Sequence, residues 1–411
     1  MAKVKMEKLH ASFMAKQALD LVSRLINDHG SRLSGTDACR KTAHRLSEEL
    51  KKSCDSVALE SFDIHPDAFL GWIKILVVLY PVALVFSWLS VGLLSFMLMG
   101  SSLTIMVLQF FFYKEVLDRF YPQAEGINVY GVIEPQQKVK NTVVFSGHHD
   151  SAKIFTLYLD KPHLYLLRIS IGLGSIVALT LLSLIQIFKG AIVSFRLPSM
   201  GFGIALVVLT VTLPWIFRLW NFAAKEGTPG AGDNLIASAM GVELAHYFKN
   251  RQSKLKHTRL IFASFDAEEA GLRGARDFFT THQGDEKLLG GKVWNFNVDC
   301  PYYAKDLFFL TSDINGTVQL SQQMATQCVG IAHSMGYEAF SQPIAFLTGG
   351  TDAAEAAKKG FEATTLMAMP WDNKNRAQVY HTPFDTPDAI ESEAVERALS
   401  IAVRFIEQVD Q

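Results

Sequence analysis

The stretch Val143–Lys153, VVFSGHHDSAK, begins as an apolar run and stops on two histidines and an aspartate. A short apolar run of this kind reads as a buried strand, and its polar tail places metal-competent groups at the carboxyl end. On an extended chain His148 and Asp150 project to the same face. That spacing suits a histidine ligand oriented by a carboxylate, or a pair sharing one ion. His149 points the other way and reads as structural. Alone, the spacing fits equally well a strand-end turn kept for capping or solubility.

The pattern recurs along the chain. TRLIFASF runs into Asp266, Glu268 and Glu269, and VWNFNV into Asp299. Asp233 lies in GAGDN, a glycine-rich turn at the mouth of a helix, and His381 lies in VYHTPFDT, just before the final helical pattern. Singly, each has a bland reading: Asp233 as a helix N-cap, Glu268 and Glu269 as a solvated first turn favoured by the helix dipole, His381 as an ordinary surface or core histidine. Asp299, followed by Cys300 and Pro301, is costly to bury without a partner. Together they bring a donor set suited to zinc, cobalt or manganese to the carboxyl rim of a sheet, where open α/β folds bind ligands.

The surrounding segments supply that sheet. Apolar runs at VALESFDI, INVYGVI, NTVVFSG, TRLIFASF, VWNFNVD, LFFLT and FEATTLMAM alternate with helical patterns at CRKTAHRLSEELKKS, NLIASAMGVELAHYFKN, LRGARDFFTTH, TVQLSQQMATQCVGIAHSM and SEAVERALSIAVRFIEQV. Strands alternating with helices predict a doubly wound α/β domain.

Two segments do not fit a soluble sheet. From Phe69 to Tyr113 Lys74 is the only charge, and a bilayer core of about 30 Å takes about 20 helical residues, so the run predicts two spans turning near Ser90–Gly92. A second hairpin is predicted with spans from about Leu164 to Phe188 and Leu197 to Trp220, joined by KGAIVSFR. Arg168 near a helix end can reach the interface with its long stem, and Pro81 is tolerated in a spanning helix. The expected organisation is residues 1–66, 115–162 and 222–411 as one α/β domain, interrupted by hairpins at 67–114 and 163–221. Four crossings put every soluble part on one side. Lys74, Lys114, Arg119, Lys161, Arg168, Arg218 and Lys225 lie on that side, against Lys189 and Arg196 beyond it, which predicts a cytoplasmic domain.

Composition agrees. The chain is 49% hydrophobic with mean hydropathy +0.17, more apolar than a core of 411 residues calls for. A formal charge of -1 offers no field for a polyanion, so nucleic acid is not an expected partner. Cys39, Cys54, Cys300 and Cys328 lack paired zinc or disulfide spacing and read as reduced thiols. The basic N-terminus has no apolar run of signal length after it, so no cleaved export signal is expected.

The ordered set HxD, GAxDN, AEEAG, a strand-end aspartate and a late YHTP resembles the co-catalytic di-zinc aminopeptidases, which include bacterial leucyl aminopeptidases and, more distantly, the glutamate carboxypeptidase and transferrin receptor ectodomains. SRLSGTDACRKTAHRLSEELKKS and TGGTDAAEAAKKGFEATTLMAM resemble further segments of that family. The resemblance covers nearly all the chain outside the hairpins. It implies two zinc ions: His148 and Asp299 on one, Glu269 and His381 on the other, with Asp233 bridging. It further implies Glu268 as general base, Asp150 as the carboxylate orienting His148, and Tyr380 as a group polarising the substrate carbonyl. The second hairpin departs from the family, standing between Asp150 and Asp233 where a short loop is expected.

The expected function is therefore a membrane-embedded aminopeptidase acting on peptides. An amidohydrolase of N-acyl amino acids or lipid-linked amides is the first alternative. A single-metal glutaminyl cyclase is disfavoured by the full ligand set, and a catalytically silent receptor or transporter module is disfavoured for the same reason. Small residues such as those in GLGS leave room for helix pairing between copies.

Overall fold

The computed structural model describes residues 2–251, 254–370, 373–376 and 378–411. Two compact units emerge. The first comprises Met1–Pro66, Gln123–Ile154 and Lys225–Gln411; the second comprises Asp67–Pro122 and Phe155–Ala224.

The first unit is built on a nine-stranded mixed sheet. In chain order the strands are β1 Ser56–Ile64, β2 Ala124–Ile133, β3 Asn141–His148, β4 Thr258–Phe265, β5 Lys292–Pro301, β6 Leu307–Asp313, β7 Val318–Gln319, β8 Phe340–Pro343 and β9 Glu362–Ala368. Their spatial order is β1-β2-β4-β3-β5-β9-β6-β8, with β7 paired to β6. β4, β3, β5 and β9 run parallel to one another, so the carboxyl ends of all four reach one rim. Parallel strands covered on both faces read as near-continuous apolar runs, and every residue of TRLIFASF, its polar members included, is buried. Phe145 of β3 stacks on Phe296 of β5, which in turn meets Phe405 of the last helix, Ser392–Val409. The antiparallel pairings of β1 with β2, β2 with β4 and β9 with β6 make the sheet mixed.

The helix Ala2–His29 was not among the helical patterns read from the sequence. Its buried stripe, Ala11, Met14, Ala15, Ala18, Val22 and Leu25, is formed partly of alanines and packs with the helices Ile236–Asn250 and Ser392–Val409. The expected helix over TVQLSQQMATQCVGIAHSM begins only at Gln322, capped by Ser321, because β7 takes up the first residues.

The second unit contains four helices long and apolar enough to cross a membrane: Gly71–Trp88, Gly92–Phe111, Pro162–Phe188 and Met200–Asn221. The first two meet at Ser90, where φ is +57°. Within the fourth, Pro214 lacks an amide proton, and the helix is interrupted at Thr212 between Met200–Val211 and Leu213–Arg218. Polar side chains interlock the helices. Ser87 donates to Gln186 Oε1 at 2.8 Å, Gln186 Nε2 donates back to the Ser87 carbonyl at 2.9 Å, and the Ser95 and Ser183 hydroxyls are 2.7 Å apart.

Candidate metal centre

His148 ends β3, and its Nδ1 lies 3.2 Å from Asp150 Oδ1. Asp150 does more than approach that ring. Its Oδ1 also accepts the Glu268 amide and its Oδ2 the Glu269 amide, both at 3.2 Å, while Ser34 donates to Oδ2 at 2.8 Å. One buried carboxylate thus fixes a histidine and the turn that follows β4. That turn is not a first helical turn, as the acids alone suggested. Ala267 and Leu272 take left-handed φ of +57° and +59°, and the helix starts only at Arg273.

Asp233 enters from the GAGDN loop. It is not an N-cap: the residue before Ile236–Asn250 is Leu235, and no side chain caps there. Its peptide bond to Asn234 is cis. The loop is pinned from both sides. Asp385 accepts the Gly232 amide at 2.7 Å and the Asp233 amide at 3.2 Å, and Asn234 donates to the Val298 carbonyl at 2.8 Å. Gly232 is required, since a Cβ there would lie 2.1 Å from the Tyr302 ring. Arg32, fully buried, donates to the carbonyls of His149, Pro229 and Gly230 at 2.7–2.8 Å, tying the β3 end to the Asp233 loop.

These elements deliver overlapping donor groups, one of them His148 with Glu268 and Glu269. His148, Asp233 and Asp299 each place a ligand atom within 4.8 Å of the others, and so do Asp233, Glu269 and His381. Asp233 is common to both. His148 Nε2 is 3.4 Å from its Oδ1 and 3.7 Å from Glu268 Oε2, and His381 Nε2 is 3.1 Å from its Oδ2 and 3.4 Å from Glu269 Oε1. Tyr380 stacks on His381 with ring centroids 4.0 Å apart, so its ring buttresses the imidazole. His149 lies apart, its Nδ1 2.8 Å from the Ser264 hydroxyl.

The electrostatics describe a site built for cations. Burial pushes the Glu268 carboxyl well above its usual range, with Glu269, Asp352 and Asp299 adding to the rise, and burial beside Asp233 pushes Asp299 up to about 7. Burial would lower the two imidazoles, but the carboxylates outweigh it: Glu268, Asp150 and Asp233 hold His148 well up, and Glu269 and Asp233 raise His381 to about 10. His148 Nε2, Asp233 Oδ2 and Glu269 Oε1 are buried without a hydrogen-bond partner. Orphaned nitrogen and carboxylate atoms facing one another, with no thiolate among them, fit two divalent ions of the zinc type.

Four participants were not singled out from the sequence: Arg32, Ser34, Asp385 and Asp352. Asp352 precedes the short helix Ala353–Lys358 without capping it, and both its oxygens are buried without a partner. Each sits in a polar loop whose composition looks solvated; only the convergence of loops on one rim marks them. Beside them, Cys39 donates to Asp266 at 3.3 Å in a buried brace.

Residues 218–406 match the model of peptidase family M28. No curated protein matches the sequence. Among solved structures, a zinc aminopeptidase from Bacillus subtilis is 14% identical, aligned over 96% of this chain and 94% of that one, with a TM-score of 0.56. A glutaminyl cyclase from Fimbriiglobus ruber is 14% identical over 96% and 94%, with a TM-score of 0.55. An aminopeptidase from Legionella pneumophila is 13% identical over 98% of this chain and 74% of that one, again at 0.55. At such identities the likeness is one of fold.

Proposed function

We propose that this chain, whose residues 218–406 match the model of peptidase family M28, is a membrane-integrated di-zinc aminopeptidase. The observation that carries the reading is the sharing of Asp233 between two donor groups, His148 with Asp299 and Glu269 with His381. Bound zinc supplies a water of lowered pKa and electrophilic help at the scissile carbonyl.

The chain's own groups supply the rest. Glu268, beside His148, takes the proton released by the attacking water and returns it to the nitrogen of the leaving amine as the C–N bond breaks, a role that contributes typically 10²- to 10⁴-fold. Asp150 keeps Nδ1 of His148 engaged, so that Nε2 faces the metal. Asp385 and Arg32 hold the loop that aims Asp233.

Four apolar helices support membrane integration, and the basic residues at the ends where the chain enters and leaves them support a cytoplasmic catalytic unit. The test is a substrate panel on the detergent-purified chain: aminoacyl amides, N-acyl amino acids and N-terminal glutaminyl peptides. Hydrolysis confined to substrates with a free amine is expected. Cleavage of N-acyl amino acids alone would replace this reading with an amidohydrolase, and cyclisation of glutaminyl peptides with the cyclase activity that the Fimbriiglobus ruber neighbour is named for.

A further inference from the structure

Basic charge gathers at one end of the apolar unit. Lys74 lies in the first turn of Gly71–Trp88, Arg168 in the first turn of Tyr165–Phe188, and Arg218 closes Leu213–Arg218. All belong to the end where the chain enters and leaves this unit. Asp160 joins them: its carboxylate accepts from Arg168 at 3.1 Å and from Arg218, its backbone carbonyl accepts from Arg168 as well, and Lys161 adds to the pull on the same carboxylate. Lys74 Nζ stands 5.9 Å from the centroid of Trp220, two residues past Arg218. Three cations therefore act on one acid, with Lys74 beside Trp220 at the same end. In and beside the same end of the first hairpin the charges balance in sequence, Lys74, Lys114 and Arg119 against Asp67, Glu115 and Asp118.

The cluster is open where it matters. Arg168 is buried and committed to Asp160, whereas Lys74, Lys161 and Arg218 are exposed. A guanidinium has five N–H donors, so Arg218 keeps donors beyond those used on Asp160. Trp220, half exposed beside it, is the residue type that settles at the headgroup level of a bilayer.

We propose that Lys74, Lys161 and Arg218 form a binding site for the phosphate of an anionic phospholipid headgroup. Arg218 supplies planar donors to the phosphate oxygens, Lys161 a flanking charge, and Asp160 fixes Arg218 in place. The proposal rests on reading this unit as membrane-embedded.

The test uses the full chain, purified in neutral detergent and reconstituted with equal phosphatidylglycerol and phosphatidylcholine, with the tightly retained lipid quantified. Retained phosphatidylglycerol should exceed phosphatidylcholine, and Arg218→Gln or Lys161→Gln should each reduce that preference about fivefold, as expected for a basic residue near an anionic surface. Lys189→Gln, at the opposite end, should leave it unchanged. Lys74→Gln, outside the Asp160 contacts, gives the same reading if loss of Arg218 disturbs assembly. Equal retention of the two lipids, or displacement of phosphatidylglycerol by inorganic phosphate, would overturn the lipid site. A chain that stays monodisperse without detergent would instead remove the membrane reading beneath it.

Discussion

His381 presents Nε2 3.1 Å from Oδ2 of Asp233, an oxygen buried without a hydrogen-bond donor. The other oxygen of that carboxylate stands 3.4 Å from His148. Because one side chain serves both donor groups, Asp233→Asn should empty both sites together. Metal content is expected to fall from two ions per chain to near none; one ion retained would mean that Asp233 does not bridge.

In the proposed mechanism Glu268 handles the proton and the ions are held by other residues. Glu268→Gln keeps shape and removes the proton acceptor, so turnover should drop about 10²- to 10⁴-fold with both ions still bound. Undiminished turnover would take Glu268 out of the mechanism.

Asp385 acts through the backbone. It accepts two amides of the Asp233 loop, and in Asp385→Asn the amide group would turn a donor toward one of them. Loss of such support to a ligand typically costs 10- to 100-fold in metal affinity. Competition with a chelator measures it, and unchanged affinity would show that the loop holds itself.

Asp313 gives the fold a pH dependence away from the ligands. Burial raises its carboxyl to about 7 against the bonds from Thr351 and Ile314 that oppose the rise. Below about pH 4 the group is protonated in folded and unfolded chains alike. Between about 4 and 7 only the unfolded chain releases the proton, so stability falls across that window, by about 1.4 kcal/mol per pH unit, and levels off above it. Asp313→Asn, which can still accept the Ile314 and Thr351 amides, should flatten that part of the unfolding curve. Parallel curves for variant and parent would contradict the assignment.

In the apolar unit, Gln186 exchanges two hydrogen bonds with Ser87. Gln186→Leu removes both and leaves the Ser87 hydroxyl without its acceptor, so thermal unfolding in detergent should show a loss of about 1–2 kcal/mol. A gain in stability would mean that packing alone holds these helices.

The central strands were legible because parallel strands covered on both faces are mostly apolar, and the rim was legible because three of them, Asn141–His148, Thr258–Phe265 and Lys292–Pro301, lead into a histidine or an acid. What escaped is long-range. That Glu268 and Glu269 sit in a turn and not a helix follows from left-handed Ala267 and Leu272 and from Asp150 accepting their amides, neither of which local propensity favours. Asp352 and Asp385 look like ordinary loop acids until the fold buries them. The helix Ala2–His29 hid its apolar stripe among alanines, and the antiparallel joining of β1 and β2 across the whole first hairpin leaves no mark in either segment.

The most direct measurement is the number and position of zinc ions in the purified chain, by elemental analysis together with anomalous scattering from crystals. Two ions per chain, one between His148 and Asp299, one between Glu269 and His381, and Asp233 touching both, is the expected result. A single ion, or none at these side chains, would contradict the account.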